Sequence, residues 1–422
     1  MCGVKPDRTP LVLVTGLHRT PVAQAASDLL VSSPGTVVVH ADVTQLGAGV
    51  IVRTVREHSP AGVVEHRTAV ELAHGCLSCT LRLDLLPLLR TLAGRPDVTR
   101  IVLELDPTVE AEHLCWAIEH VVLDEDTTTP ETAADLVQVA AVVAVLDRTS
   151  WLPDATGDDE LGDRGLAALP GDERTVAQVL VGHTSFADAL LLAGETPDAW
   201  TAAQLTAVLD RLAPSVPRVA LSRWDPEKVL GAVHPHSRRG RPTSAHDPLL
   251  AGEPPLEEDA GVALVRFVGD RPFHPERLHE AVDVLLDGVV TSRGRVWLAS
   301  QTDRVLWLES AGGGLRVADA GPWLAALPAD GWDDVPVERQ AAAALRWDDE
   351  HGDRCTELVV LTHRQSPLLL TTALHGALLT DEELSAGPSA WRLLPDPFGE
   401  WHTDPCTETD PSDLSTQREE RS

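Results

Sequence analysis

The chain has no tyrosine, one methionine, four phenylalanines and six cysteines in 422 residues. Its lysines number two, Lys5 and Lys228. Cysteine at that density excludes a disulfide-stapled scaffold. No apolar run approaches the roughly 18 to 20 residues that span a bilayer, so a membrane helix is excluded. The opening MCGVKPDRTP also lacks the charged-then-apolar order of a signal peptide, and the expected address is a reducing cytoplasm. Basic charge is scarce too: Lys+Arg total 34 against 65 Asp+Glu, a formal net charge of −31. Such a surface repels a phosphate backbone, which disfavours broad sequence-independent binding of nucleic acid; no DNA partner and no membrane partner is expected. Ser237-Arg238-Arg239-Gly240-Arg241 is one local basic patch able to touch RNA. No GxSxG, HExxH or paired acidic metal motif is present.

What is present is apolar enough to fold. Hydrophobic residues make up 43% of the chain, and the length suggests two or three domains. Leu11-Val12-Leu13-Val14-Thr15 reads as a buried strand, turning at Gly16. Thr20 is the expected N-cap of a helix with Pro21 at its first position. Val37-Val38-Val39, Arg100 to Glu104, Val139 to Leu146 and Ala189 to Leu192 read as further strands, with helical patterns between them. That alternation predicts an α/β fold with a doubly wound, mostly parallel sheet. The acidic, Gly-rich stretch from Asp154 to Asp172 reads as an insertion loop. Five prolines between His234 and Asp259 mark a linker. Beyond it, Val262 to Val268, Arg293 to Ala299, Val305 to Glu309 and Leu315 to Ala318 read as short strands. One helix, Pro275 to Leu286, interrupts them, which predicts a smaller α+β domain. From about Phe398 the chain reads as an acidic tail.

Two segments carry candidate chemistry. A strand, a glycine and a helix at the start form the slot of a phosphate-binding loop, which needs G-x-x-x-x-G-K-[ST]. Here the slot reads Gly16-Leu17-His18-Arg19-Thr20-Pro21-Val22-Ala23. Pro21 has no N–H to offer a phosphate, and the lysine and hydroxyl positions hold Val22 and Ala23. Gly16, His18, Arg19 and Thr20 are left as a vestigial anion site at the helix start. The second segment is Glu71-Leu72-Ala73-His74-Gly75-Cys76-Leu77-Ser78-Cys79-Thr80. Two cysteines separated by two residues can place both thiolates on one zinc ion, which typically takes four S or N ligands. Cys76 and Cys79 are the candidate metal ligands, with His74 and Glu71 beside them; His40, Asp42, His113 and Cys115 are more distant candidates. A redox dithiol or an inert reduced pair are the alternatives. Among the weaker features, Cys2 as an N-terminal nucleophile is set aside because a buried strand follows at once. Cys355 and Cys406 are isolated, His113 and His120 are expected to pack on one helix face, and His234 and His236 to be solvated.

In this order, these motifs resemble the CobW-like branch of the G3E P-loop GTPases. Leu212-Ala213-Pro214-Ser215-Val216-Pro217 resembles that family's LNPxAP segment. Arg271-Pro272-Phe273-His274-Pro275-Glu276-Arg277-Leu278, Arg293 to Ala299 and Leu374 to Thr380 resemble its C-terminal domain. The resemblance implies a degenerate P-loop GTPase domain over residues 1–232, a linker over 233–260, a CobW C-terminal domain over 261–397 and a tail over 398–422. The family's GTP and Mg²⁺ lose their binding groups in this chain. The Glu-x-x-Gly switch reads Glu104-Leu105-Asp106-Pro107, and the NKxD slot reads Ala193-Gly194-Glu195-Thr196. Ser222-Arg223-Trp224-Asp225 imitates that spacing too late in the chain to serve it. Little or no GTP hydrolysis is therefore implied. The CxxC on such a frame is similar to a ribosome-hibernation-factor recruiting subgroup. That likeness implies a zinc-responsive adaptor partnering a hibernation factor and the small ribosomal subunit. The alternative implied by the wider family is a zinc metallochaperone GTPase.

Overall fold

A computed structural model describes residues 8–60, 62–72, 80–123, 131–250 and 252–399. The first apolar β-branched run is strand β1 (Thr9–Thr15), and α1 (Arg19–Ser32) follows the turn at Gly16. The N-cap is His18 rather than Thr20, so Pro21 lies at the third helical position. Proline is tolerated there because the first-turn N–H groups have no intrahelical acceptor. β2 (Thr36–Asp42), β3 (Val50–Ser59) and β4 (Gly62–Glu71) come next, then α2 (Leu86–Ala93), β5 (Arg100–Glu104), α3 (Ala111–His120) and β6 (Val137–Asp147). After α4 (Trp151–Ala155) and α5 (Val176–Phe186) come β7 (Ala189–Ala193), α6 (Ala199–Leu212), β8 (Arg218–Ala220) and α7 (Pro226–Ala232).

These strands form one eight-stranded sheet in the order β4-β3-β2-β5-β1-β6-β7-β8. It is parallel from β2 to β8 and antiparallel at the β3–β4 end. Alternate side chains of β1 feed two cores, as the period of a strand requires. Leu11 and Leu13 pack with α2 and α3, while Val12 and Val14 pack with α1 and α7. The β3–β4 hairpin was not legible in the sequence because its second strand is largely exposed and lacks a buried alternation. The stretch from Asp154 to Asp172 is more than a surface loop: Asp154 ends in α4, is buried, and accepts from Arg164 at 2.9 Å.

A second, five-stranded antiparallel sheet follows, in the order β12-β11-β10-β13-β9. Its strands are β9 (Val262–Gly269), β10 (Val289–Val296), β11 (Arg304–Ala311), β12 (Gly314–Pro322) and β13 (Thr356–His363). The run Pro275 to Leu286 is helix α8 only over Pro275–Ala281, continuing as a 3₁₀ turn over Val282–Leu285. α9 (Val337–Ala344) and α10 (Pro367–Ala377) complete the elements used below. Val262, Val290, Ala311 and Leu361 enter the same core as α5 and α6, which joins the two sheets. Gly312 permits that contact, since a Cβ there would stand 2.2 Å from the Gly157 carbonyl oxygen.

The proline-rich segment is irregular, as expected, but it is a docked strap. Arg293 Nη2 donates to Leu249 O at 2.6 Å, and Arg295 Nη1 to Ala245 O and Asp247 O at 3.1 Å each. Thr243 is held by Glu112 at 2.8 Å and the Arg239 N–H by Asp188 at 3.0 Å. The basic patch within the strap is turned inward: Arg238 lies over the Phe186 ring at 5.7 Å and Arg239 donates to Val233 O. No helix among the described residues is long and apolar enough to cross a membrane.

Candidate functional site

The C-terminal ends of β1, β2 and β5 face the N-terminus of α1, where a doubly wound sheet places its ligand. Gly16 is required at the turn because a Cβ there would meet the Val145 carbonyl oxygen at 2.5 Å and a Val22 methyl at 3.0 Å. Val22, at the slot where a phosphate-binding lysine would stand, is a core residue packed with Val12, Val14, Val38, Val102 and Val145. His18 Nε2 pairs with Ser150 Oγ at 3.1 Å. Arg19 donates to the buried Asp106 carboxylate at 2.8 Å, and the other Asp106 oxygen accepts from Thr108 Oγ1 at 3.1 Å. Thr20 is exposed.

A residue the sequence did not flag closes this arrangement. His183 of α5 is wholly buried, with Nδ1 2.9 Å from Thr15 Oγ1 and Nε2 2.9 Å from the Pro107 carbonyl oxygen. A carbonyl can only accept, so the network assigns the proton to Nε2, and Nδ1 accepts from the hydroxyl. Burial pushes the imidazole pKa below its ordinary value, which keeps it neutral. The loop after β5 is thus tied to β1 through His183 and to α1 through Arg19. One clue was available: a lone histidine following the apolar stretch Val179-Leu180-Val181 of α5.

The base-reading slot is likewise closed by the chain itself. The Arg148 N–H donates to Ala193 O at 3.0 Å, Arg148 Nε to Gly194 O at 2.9 Å, and Thr149 Oγ1 to Glu195 O at 2.9 Å. Asp225 of the imitation motif caps α7, accepting from the Lys228 N–H at 3.3 Å. These residues do not fit Mg-GTP. Pro21 lacks a donor, Val22 lacks a charge and lies in the core, and Arg19 already neutralises Asp106.

Of the candidate metal ligands, His74, Cys76 and Cys79 lie outside the described residues. Glu71 ends β4 and is exposed. His40 donates through Nδ1 to Glu104 O at 3.0 Å, leaving Nε2 as the ring's acceptor nitrogen. Glu104 itself pairs with Arg56. Strand register sets His40 opposite Thr54, Thr54 opposite Arg67, and Glu71 four residues further along. At ordinary strand spacings that separates His40 from Glu71 by roughly 16 Å, so the two do not converge. Burial raises the Asp42 carboxyl, but hydrogen bonds from Thr44, with Arg19 and His40 nearby, outweigh it and hold the pKa below the usual range. His113 is exposed and faces Glu110 at 3.6 Å. The Cys115 thiol is buried in the core under β5 and α3, away from Glu71, and burial followed by Glu119, Asp188 and Glu112 pushes its pKa far up. Burial also raises Cys355. His120 stacks on Trp116 and His234 lies against His236. Among the described residues no three His, Cys, Asp or Glu side chains converge as a metal site.

The structure does locate the feet of the cysteine segment. Before it, the Leu72 N–H donates to Gly49 O at 2.8 Å. After it, buried Thr80 lines a small cavity with Ala41, Val43, Glu104, Leu105 and Asp106. The segment therefore re-enters the fold beside the loop that Arg19 and His183 hold in place.

Residues 39–213 match the CobW/HypB/UreG nucleotide-binding domain, and residues 262–378 match the cobalamin synthesis protein cobW C-terminal domain. A Mycobacterium tuberculosis protein named as a zinc chaperone is 46% identical over 402 residues, covering 95% of each chain. The zinc-regulated GTPase metalloprotein activator 1 of Dictyostelium discoideum is 25% identical over 363 residues, 78% of this chain and 70% of that one. A crystal structure of Zn(II)-bound YjiA GTPase from E. coli aligns over 88% of this chain with 14% identity and a TM-score of 0.37.

Proposed function

The chain belongs to the CobW family, and from that membership we propose that it is a zinc-handling protein of the metallochaperone type that works without hydrolysing GTP. The observation that carries this reading is the filled nucleotide slot: Val22 in the core, Arg19 on Asp106, and His183 bridging Thr15 and Pro107. Zinc is the cargo. Cys76 and Cys79 hold it as thiolates, with His74 and Glu71 the adjoining groups that complete the set. Loading releases protons and weakens as the medium acidifies, because the ligands must be deprotonated. In a nucleotide-driven carrier a γ-phosphate repositions the loop after β5. Here that loop is fixed by internal contacts, so zinc leaves by ligand exchange with a recipient.

Two measurements on the purified full chain test this. Competition against a chromophoric chelator gives one zinc per chain, falling to near zero in a Cys76→Ser/Cys79→Ser variant. Calorimetry with Mg-GTP gives no heat at sub-millimolar nucleotide. Zinc-stimulated GTP turnover, or zinc affinity unchanged by the double substitution, refutes the reading. Recruitment of a hibernation factor to the small ribosomal subunit is a finer role, and the relatives' names favour the zinc-chaperone reading over it. Ribosome co-sedimentation that is identical with and without a chelator removes the adaptor role.

A further inference from the structure

We propose that the free edge of β4 is a homodimer interface, at which a second copy of this chain adds its own β4 antiparallel to make one continuous sheet. β4 is the outermost strand of the large sheet, and among the described residues its strand neighbour is β3 alone. The β3–β4 register runs unbroken over ten pairs, from Val50↔Glu71 to Ser59↔Gly62, with no bulge. An outer strand of this length leaves a row of backbone donors and acceptors facing away from the sheet. Proteins that avoid such pairing place lysine, proline or a bulge there. Lysine, proline and a bulge are all absent between Gly62 and Glu71, and the charges that are present, Glu65, Arg67 and Glu71, alternate in sign along one face and so suit a complementary strand.

The side chains argue for a second copy of this same chain. Val70 packs against the core that holds α2 and α3, so Val64, His66, Thr68 and Val70 share that face. Val63, Glu65, Arg67, Ala69 and Glu71 share the other. A continuous sheet closed by a two-fold axis makes residue i meet residue j while j meets i. With His66 on the axis, Glu65 meets the partner's Arg67 and Arg67 the partner's Glu65, while Val63 meets the partner's Ala69. Sliding the register by one pair in either direction sets Glu65 against Glu65, or Arg67 against Arg67. Like charges directly opposite are unfavourable, so the charge pattern selects one register. Within the monomer these two side chains pair along the strand at 2.7 Å, with Arg67 72% exposed.

This register has a consequence for the zinc reading, on which it does not depend. Leu72 lies six residues beyond the axis in each copy, so the two cysteine segments begin roughly 40 Å apart. Each copy keeps its own metal, and the dimer needs none.

Sedimentation equilibrium of the full chain tests the interface. A reversible dimer is expected, unchanged by a chelator and retained in the Cys76→Ser/Cys79→Ser variant. Arg67→Glu alone and Glu65→Arg alone each weaken the dimer by at least about tenfold, since each sets like charges opposite. The Glu65→Arg/Arg67→Glu double swap restores the reciprocal pairing and recovers it. Circular dichroism on the exposed-site variants confirms that they fold. A monomer at all concentrations up to about 100 µM overturns the proposal. So does a dimer indifferent to Arg67→Glu, a double swap that fails to rescue, or a monomer whose edge is taken by a strand of another protein. A dimer that vanishes on chelation overturns it while leaving the zinc reading intact.

Discussion

Restoring the missing lysine is the sharpest trial of the idea that the phosphate slot has become core. In Val22→Lys a side chain 2% exposed acquires two extra heavy atoms and a charge. Around it stand the Val145 carbonyl, the close turn at Gly16, and Val12, Val14 and Val38. Displacing the valine from that packing forfeits much of the roughly 1.5–3 kcal/mol its burial contributes. Forcing the longer stem in adds about 1–3 kcal/mol of overpacking, in a cluster built of apolar side chains. The sum is a loss of about 3–5 kcal/mol, a large share of the roughly 5–15 kcal/mol that holds a typical domain together. Urea unfolding at neutral pH, followed by circular dichroism, measures it. Val22→Ala is the control and loses about 2 kcal/mol through the smaller cavity alone. Calorimetry of Val22→Lys with Mg-GTP shows no heat, because Pro21 still lacks a donor and Arg19 still holds Asp106. A variant as stable as the parent that binds GTP at sub-millimolar concentration refutes the reasoning, since it would mean that the lysine has somewhere to point.

Other outcomes follow from the same contacts. His183→Leu leaves the Thr15 hydroxyl and the Pro107 carbonyl buried without partners, and lowers stability by about 2–4 kcal/mol in the same unfolding assay. Glu357 accepts from Arg266 at 2.9 Å, from Arg295 at 2.6 Å and from Arg346; Glu357→Gln strips the buried Arg295 of its counter-charge and costs about 3–5 kcal/mol in urea unfolding. Burial raises the Glu357 carboxyl, but those three guanidiniums outweigh it and bring its pKa to about 2. A depressed carboxyl stabilises above its unfolded value, so this contribution is lost as pH falls from about 4.5 toward 2, and the substitution flattens that acid limb. Burial, then Arg339, lowers His246 to about 4; Arg295 adds to this, while the Ala320 carbonyl and Asp353 oppose it. The unfolded chain takes up that proton near pH 6.5 and the folded one does not, so stability falls as pH drops from 6.5 to 4. His246→Gln removes that slope in a pH series of unfolding curves.

Much of the architecture was written locally. Continuous apolar runs such as Leu11 to Thr15 and Val139 to Leu146 fix strands whose two faces must both be covered, and their alternation with helices dictates a parallel sheet. Loss of the phosphate-binding lysine and glycine was legible too, because that chemistry depends on named residues at fixed spacing. β4 escaped because an exposed edge strand needs no buried alternation, and β13 because polar Thr356, Glu357, Thr362 and His363, all buried in the fold, leave only the short apolar stretch Leu358 to Leu361 to mark it. The strap escaped because proline-rich composition predicts irregular backbone without saying whether it is docked, and guanidiniums from β10 do the docking.

The sequence by itself determined that Cys76 and Cys79 have the spacing one zinc ion requires and that the groups for a triphosphate are missing, since both are matters of which residues the chain carries and in what order. Only the tertiary structure decided what fills the slot instead. His183 meets Thr15 across 168 residues and Arg19 meets Asp106 across 87. Those pairings arise from the order in which strands enter the sheet, which no local pattern of residues encodes.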